Sequence, residues 1–272
     1  MEFLREWILA IDKISPGVFT LSVLSILPWG GLLFLFHPAD PSRKTKIFLW
    51  SLLLGFLSTQ VILALHPILW PEVNFKPKKV SMLSFTAHMA FIQAGVMEET
   101  FKSLFILFLG FFYGFDKKTG LWKKEIVLVG GFVALGFALT ENYTYIARDQ
   151  LHLFTMFMGR FLYSSNIHLL INLCFSLFVL KSNRFESVNQ RILYITGGFF
   201  LAILQHGVVD FFLIPSSKFG NFLSVALFSG IWVWVVKDLR KFVFFYEIPI
   251  SEEEPPESTE FIGGPEEKSL EF

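Results

Sequence analysis

The chain has 272 residues, 53% of them hydrophobic and only 17% charged, and its 23 basic and 23 acidic side chains cancel. A soluble domain carries about 25% charge, and 35 Phe residues exceed what a core of this size needs, so lipid is the expected solvent. The neutral balance points away from a nucleic-acid partner, and the single Cys174, inside an apolar run, excludes a disulfide framework.

The opening MEFLREWILAIDK mixes acids and bases and lacks the basic region and small-residue cleavage site of a removable signal. Its apolar positions Phe3, Leu4, Trp7, Ile8 and Ile11 recur at helical spacing, so residues 1–16 are expected to form an interfacial segment. Apolar runs of spanning length follow at 17–37, 47–70, 84–113, 126–147, 153–180, 192–214 and 219–236. They predict an all-α, polytopic transmembrane helical bundle of about seven spans over 17–241. Short polar links make neighbouring helices antiparallel, and continuous rather than alternating apolarity argues against strands. From 250 to 272 the chain turns acidic and proline-rich, with eight Glu, and is expected to be a disordered tail.

The Lys/Arg distribution orients the bundle. The N-terminal segment and the second, fourth and sixth loops carry 7, against 13 in the odd loops and at the start of the tail. The N-terminus is therefore expected outside and the tail in the cytoplasm, although Lys76, Lys78 and Lys79 in the second loop oppose this.

Ionisable groups inside a span are costly and face a bundle interior or a cavity. The third span holds Glu98 and Glu99 at its centre, with Lys102 one turn later. The two carboxylates point about 100° apart and so serve different partners. The fourth span carries Glu141 and Asn142, with Tyr145 beyond. The fifth carries His168 and Asn172, with Arg160 about two turns before His168. The sixth carries His206 and Asp210. Glu98, Glu99, His168 and His206 fall near the bilayer midplane, and Glu141 lies about 7 Å further out along its helix. Their shared depth predicts convergence on a wetted internal cavity.

Two chemistries need such a set. His168, His206 and Glu98 suit zinc, with a second Glu as base. Alternatively, a buried Glu activates water without metal, while a His or Asn donates to the oxyanion. Either route hydrolyses an amide, with Glu98, Glu99, Glu141, His168 and His206 as catalytic candidates and Lys102, Asn142, Asn172 and Asp210 in support. Each member also has a plainer explanation. Glu98 with Lys102, or His206 with Asp210, would serve as a structural pair, and a lone intramembrane His commonly bonds a neighbouring helix. His37, His66 and His152 lie at span ends, as do the expected interface anchors Tyr143 and Tyr145. His88, about three turns before Glu99, is a reserve candidate. Cys174 has no His one turn away, and no Ser in the spans has an obvious base beside it.

Glu98-Glu99-x-x-Lys102 is similar to the EExxK motif of PrsW-type proteases, and Phe137-x-x-x-Glu141-Asn142 resembles that family's FxxxEN motif. His168 and His206 follow in the order of its two histidine helices, so the resemblance runs from about 84 to 214. More distantly, it extends to CAAX prenyl proteases and bacteriocin-immunity proteins. His206-x-x-x-Asp210 departs from that wider pattern, where Asn is often found in place of Asp210. The resemblance implies regulated intramembrane proteolysis in a bacterial cell membrane, with a membrane-anchored protein such as an anti-sigma factor as substrate. Three alternatives remain. One is a proton-coupled transporter relaying through Glu98, Glu141 and Asp210. Another is a haem protein with His168 and His206 as axial ligands. The third is a non-catalytic membrane scaffold.

Overall fold

The computed structural model describes residues 15–69, 81–215 and 217–244. Seven helical rods run through them. They are α1 (Pro16–Phe36), α2 (Pro41–Leu69), α3, α4 (Glu125–Arg148), α5, α6 (Val188–Leu213) and α7 (Lys218–Leu239, prolonged by a π turn, Arg240–Phe244). Rod α3 is α-helical over Met82–Ala87, π-helical over His88–Glu98 and α-helical again over Glu99–Tyr113. Rod α5 has the same construction in smaller form: Leu153–Gly159, a π turn Arg160–Ser164, and Ser165–Lys181. Six rods, all but α3, are long and apolar enough to cross a membrane. The third expected span is thus a rod of a different kind, widened by π turns just before it presents Glu98 and Glu99.

Two rods, α2 and α6, begin several residues before their apolar runs, because polar first turns are still helical. Pro41-Ser42-Arg43-Lys44 opens α2, where the Asp40 carboxylate accepts from the Ser42 and Arg43 amides at 2.9 and 3.3 Å. Ser81 caps α3 and Ser217 caps α7 through their hydroxyls. Lys44 Nζ donates to the Phe34 and His37 carbonyls at 2.8 and 3.1 Å, closing the C-terminal end of α1. His37, expected at an interface, is buried at this junction. Ala39 N–H donates to its Nδ1, which leaves Nε2–H to donate to the Lys124 carbonyl.

Strands were not expected, yet a two-residue ladder pairs β1 (Phe115–Asp116) with β2 (Leu121–Trp122) between α3 and α4. Gly120, at φ +68°, makes its turn. The segment 1–14, the acidic tail from 250 and the second-loop lysines lie outside the described residues.

Two rods form the centre. In α4 and α5, 78% of the most apolar window is buried, against 22–33% in α1, α2, α6 and α7. The peripheral rods therefore wrap α4 and α5 and turn their other faces outward, where Leu35, Leu49, Phe108, Leu193 and Phe222 are exposed. Between membrane helices the close approach of backbones, rather than escape from water, drives packing. The α2–α4 crossing uses it reciprocally: a β-carbon on Gly55 would strike the Val133 carbonyl, and one on Gly136 the Leu52 carbonyl. Neither backbone can yield as a side chain would. Gly136→Leu is expected to destabilise the bundle by at least the about 1–3 kcal/mol of ordinary overpacking, seen as a lower melting temperature in detergent. Gly31→Ala, with open space around it, should match the parent; equal melting of all three proteins would refute this account of the crossing.

Candidate active site

A cavity of about 850 Å³ enters the bundle from one end. Its walls come from the late part of α2 (Ile62), the early part of α3 (Phe85, Met89), the ends of α4 and α6 (Tyr145, Ile214) and the start of α7 (Asn221). In an antiparallel bundle these positions share one face, the one bearing the second, fourth and sixth loops. The other side is closed, since residues 126–138 of α4 are all buried. Glu98, Glu141, His168, His206 and Asp210 line the cavity's inner part.

The α3 residues stand at the π-to-α junction, where the adjacent carboxylates diverge. Glu99 turns inward and has no exposed surface, whereas the Glu98 side chain remains 18% exposed on the cavity wall. Lys102 lies beneath both, fully buried, with Nζ 2.6 Å from Glu99 Oε1 and 3.3 Å from Glu98 Oε2. The same ammonium faces His168 Nδ1 at 3.1 Å and the Phe137 ring at 4.2 Å. His206 Nδ1 bonds Glu99 Oε1 at 2.7 Å. Its Nε2 turns toward Asp210 at 3.5 Å and Glu98 at 3.9 Å. The His168 and His206 rings meet edge to face, with centroids 5.2 Å apart, which leaves no room for a haem plane between them.

Glu141 joins this cluster directly, its Oε2 2.7 Å from His168 Nε2. The axial offset expected from its position is bridged by the two side chains. Arg160 Nη2 pairs with the same oxygen at 2.5 Å. Asn142, by contrast, does not reach the cavity. It is fully buried, donates to Ser25 Oγ and Ser165 Oγ at 2.7 and 2.8 Å, and accepts from Arg160 Nε at 2.7 Å. Asn172 is also buried and donates to the His168 carbonyl one turn back. His88 begins the π-helical stretch, and His152 pairs with Asp149 at the surface; neither joins the cluster. Cys174 is buried against Gln205.

Four participants were not assigned a role in the site from sequence. Arg160 was visible as an intramembrane arginine without a partner. Tyr145, taken for an interface anchor, lies under the Arg160 guanidinium at 4.3 Å and lines the cavity. Ser25 and Ser165 carry no signal at all, since a serine in a span commonly bonds its own helix.

The residues fit a metal ion. One ligand atom each from Glu98, Glu99, His168 and His206 lie within 4.8 Å of one another. Glu99 Oε2 is buried with no hydrogen-bond partner among the described residues, as an oxygen reserved for a cation would be. Four carboxylates (Glu98, Glu99, Glu141, Asp210) against two fixed cations (Lys102, Arg160) leave a formal charge of −2, which one divalent ion offsets.

A family model described as PrsW family intramembrane metalloprotease matches residues 43–236. The chain belongs to the PrsW family. The family match and its six apolar helices make it an integral membrane protein. It is 25% identical over 157 residues to "Protease PrsW" of Clostridioides difficile (strain 630), covering 57% of this chain and 64% of that protein. It is 24% identical over 221 residues to "Protease PrsW" of Geobacillus kaustophilus (strain HTA426), covering 79% of this chain and 89% of that one. No solved structure matches the chain.

Removing one partner of a buried ion pair leaves an uncompensated charge, at a cost of about 3–5 kcal/mol. Lys102→Met should therefore lower the melting temperature in detergent sharply, and adding Glu99→Gln should restore much of it. Strictly additive losses in that double-mutant cycle would show that the pair is not coupled.

Proposed function

We propose that the chain is an intramembrane peptidase that hydrolyses a peptide bond in a membrane-anchored protein. The observation that supports this is the meeting of Glu98, Glu99, His168 and His206 at the inner end of a cavity open to one side. Zinc, when bound, would supply a polarised water and an electrophile for the scissile carbonyl; His206, Glu99 and His168 would hold it, His168 through the Nδ1 lone pair that otherwise faces Lys102. Glu99 is favoured over Glu98 as the ligand because Lys102 and His206 pin its Oε1 while its Oε2 stays unpartnered. Glu98 lines the cavity and is the base: it takes a proton from the attacking water and passes it to the leaving amine. Lys102 balances both carboxylates. Glu141 orients His168, and Asn142 and Asn172 support the site from behind it.

The lysine and arginine distribution supports a cavity mouth on the outer face of the membrane, with the N-terminus on that side, and the family resemblance supports a bacterial cell membrane. The substrate then presents its bond from that face, as a single-span anti-sigma factor would in the regulated proteolysis implied by the motifs. A proton carrier needs access from both sides in turn, and the buried floor formed by α4 favours the peptidase.

In proteoliposomes with a single-span fusion substrate, Glu98→Gln, His168→Ala and His206→Ala should each insert normally and lose 10² or more in cleavage rate, the usual consequence of removing a catalytic group. A zinc chelator should abolish cleavage, and added zinc should restore it. Full activity after both His substitutions would refute the mechanism and favour the carrier. Truncation after 249 should leave the rate unchanged, because the tail's composition cannot bury apolar surface; a truncated protein that inserts but does not cleave would contradict this.

A further inference from the structure

Glu141 Oε2 receives three side chains from a single rod: Arg160 Nη2 at 2.5 Å, His168 Nε2 at 2.7 Å and Ser164 Oγ at 3.3 Å. On a regular α-helix, residues four apart rotate by about 40° per step, and a set at 160, 164 and 168 would drift off one face. The π turn Arg160–Ser164 widens the first step, so all three converge on one oxygen. The guanidinium is itself fixed. Its Nε donates to Asn142 Oδ1 at 2.7 Å, Asn142 is held by Ser25 on α1 and Ser165 on α5, and the Tyr145 ring lies 4.3 Å from the guanidinium carbon.

The opposite side of the imidazole is equally determined. His168 Nδ1 faces Lys102 Nζ at 3.1 Å. An ammonium has only protons to offer, so Nδ1 must accept, and Nε2 must carry the proton that is donated to Glu141. A carboxylate that receives the second ring N–H of a histidine is the usual device for setting its tautomer and orientation. Here that carboxylate is held in turn by an arginine.

We propose that Arg160 is a positioning residue that acts through Glu141. By clamping the Glu141 carboxylate it holds His168 as the Nε2–H tautomer, with the Nδ1 lone pair turned toward Glu98, Glu99 and Lys102. The kinetic consequence rests on the peptidase reading; the tautomeric consequence does not. A planar fork is required, because one nitrogen reaches Glu141 while another reaches Asn142, and lysine cannot do both.

The test uses the full-length protein labelled with ¹⁵N-histidine in lipid nanodiscs, with the His168 resonances assigned by their loss in His168→Gln. The parent should show His168 as a single Nε2–H tautomer. Arg160→Met should show an Nδ1–H population or an exchange-broadened ring, and kcat on the fusion substrate should fall about 10- to 100-fold while KM stays nearly constant. Arg160→Lys should be intermediate in both measurements, and it carries the test if Arg160→Met does not insert. Lys123→Met, at a half-buried ion pair with Asp116 in the loop between α3 and α4, should match the parent. A parent-like His168 signal in Arg160→Met, or in Arg160→Lys where only that variant inserts, overturns the proposal. So does a loss confined to KM, which would make Arg160 a substrate contact. If the parent cleaves nothing while the tautomer still shifts in Arg160→Met, the peptidase reading fails and the positioning role stands.

Discussion

A lysine ammonium with no exposed surface, held at the centre of an apolar bundle, is the constraint to which the rest of the site answers. Transferring Lys102 from water to this position without partners would cost several kcal/mol. It is tolerated because Glu99 meets it at 2.6 Å, Glu98 at 3.3 Å, His168 with a ring nitrogen at 3.1 Å, and Phe137 with its ring face at 4.2 Å. Those four contacts draw on three rods, so satisfying one charge fixes how α3, α4 and α5 sit against each other. Glu99 then carries the constraint to a fourth rod through His206. The polar centre is thus a structural tie as well as the chemical site.

The same constraint separates two adjacent and chemically identical side chains. Successive residues on a helix diverge by about 100°, and here that angle divides the interior from the cavity wall. Glu99 is enclosed by Lys102 and His206, and Glu98 borders open space with Asp210 and His206 nearby. Position relative to the cavity, not spacing in sequence, distinguishes a fixed carboxylate from one able to meet a water molecule.

Much of this was legible in the chain because lipid allows few alternatives. Long apolar runs must be helices, and charged residues within them must face inward. Glu98, Glu99, Lys102, His168 and His206 could therefore be gathered from hydropathy and depth alone. What escaped was lateral and local. Ser25 and Ser165 are ordinary span serines until Asn142 is found between them. Tyr145 looked like a membrane-interface aromatic because rank along a helix says nothing of which side faces the cavity. The π turns had no visible signal, since apolar periodicity in runs this hydrophobic is too weak to report a change of pitch.

Those π turns resolve a geometric difficulty that the motifs alone leave open. A regular helix presents one narrow face, whereas this site needs the neighbours on a rod to aim at shared targets. Both rods that carry π-helical stretches before the polar cluster, α3 and α5, contribute to the cavity wall and to the buried charges. The unperturbed α4 supplies the rigid reference against which they are set, its backbone locked to α2 at Gly136. A straight, fully buried rod at the centre and two locally widened rods beside it divide the work between stability and aim. The polar groups gain their precise relations from the widened segments, and the close helix crossings hold those segments in place.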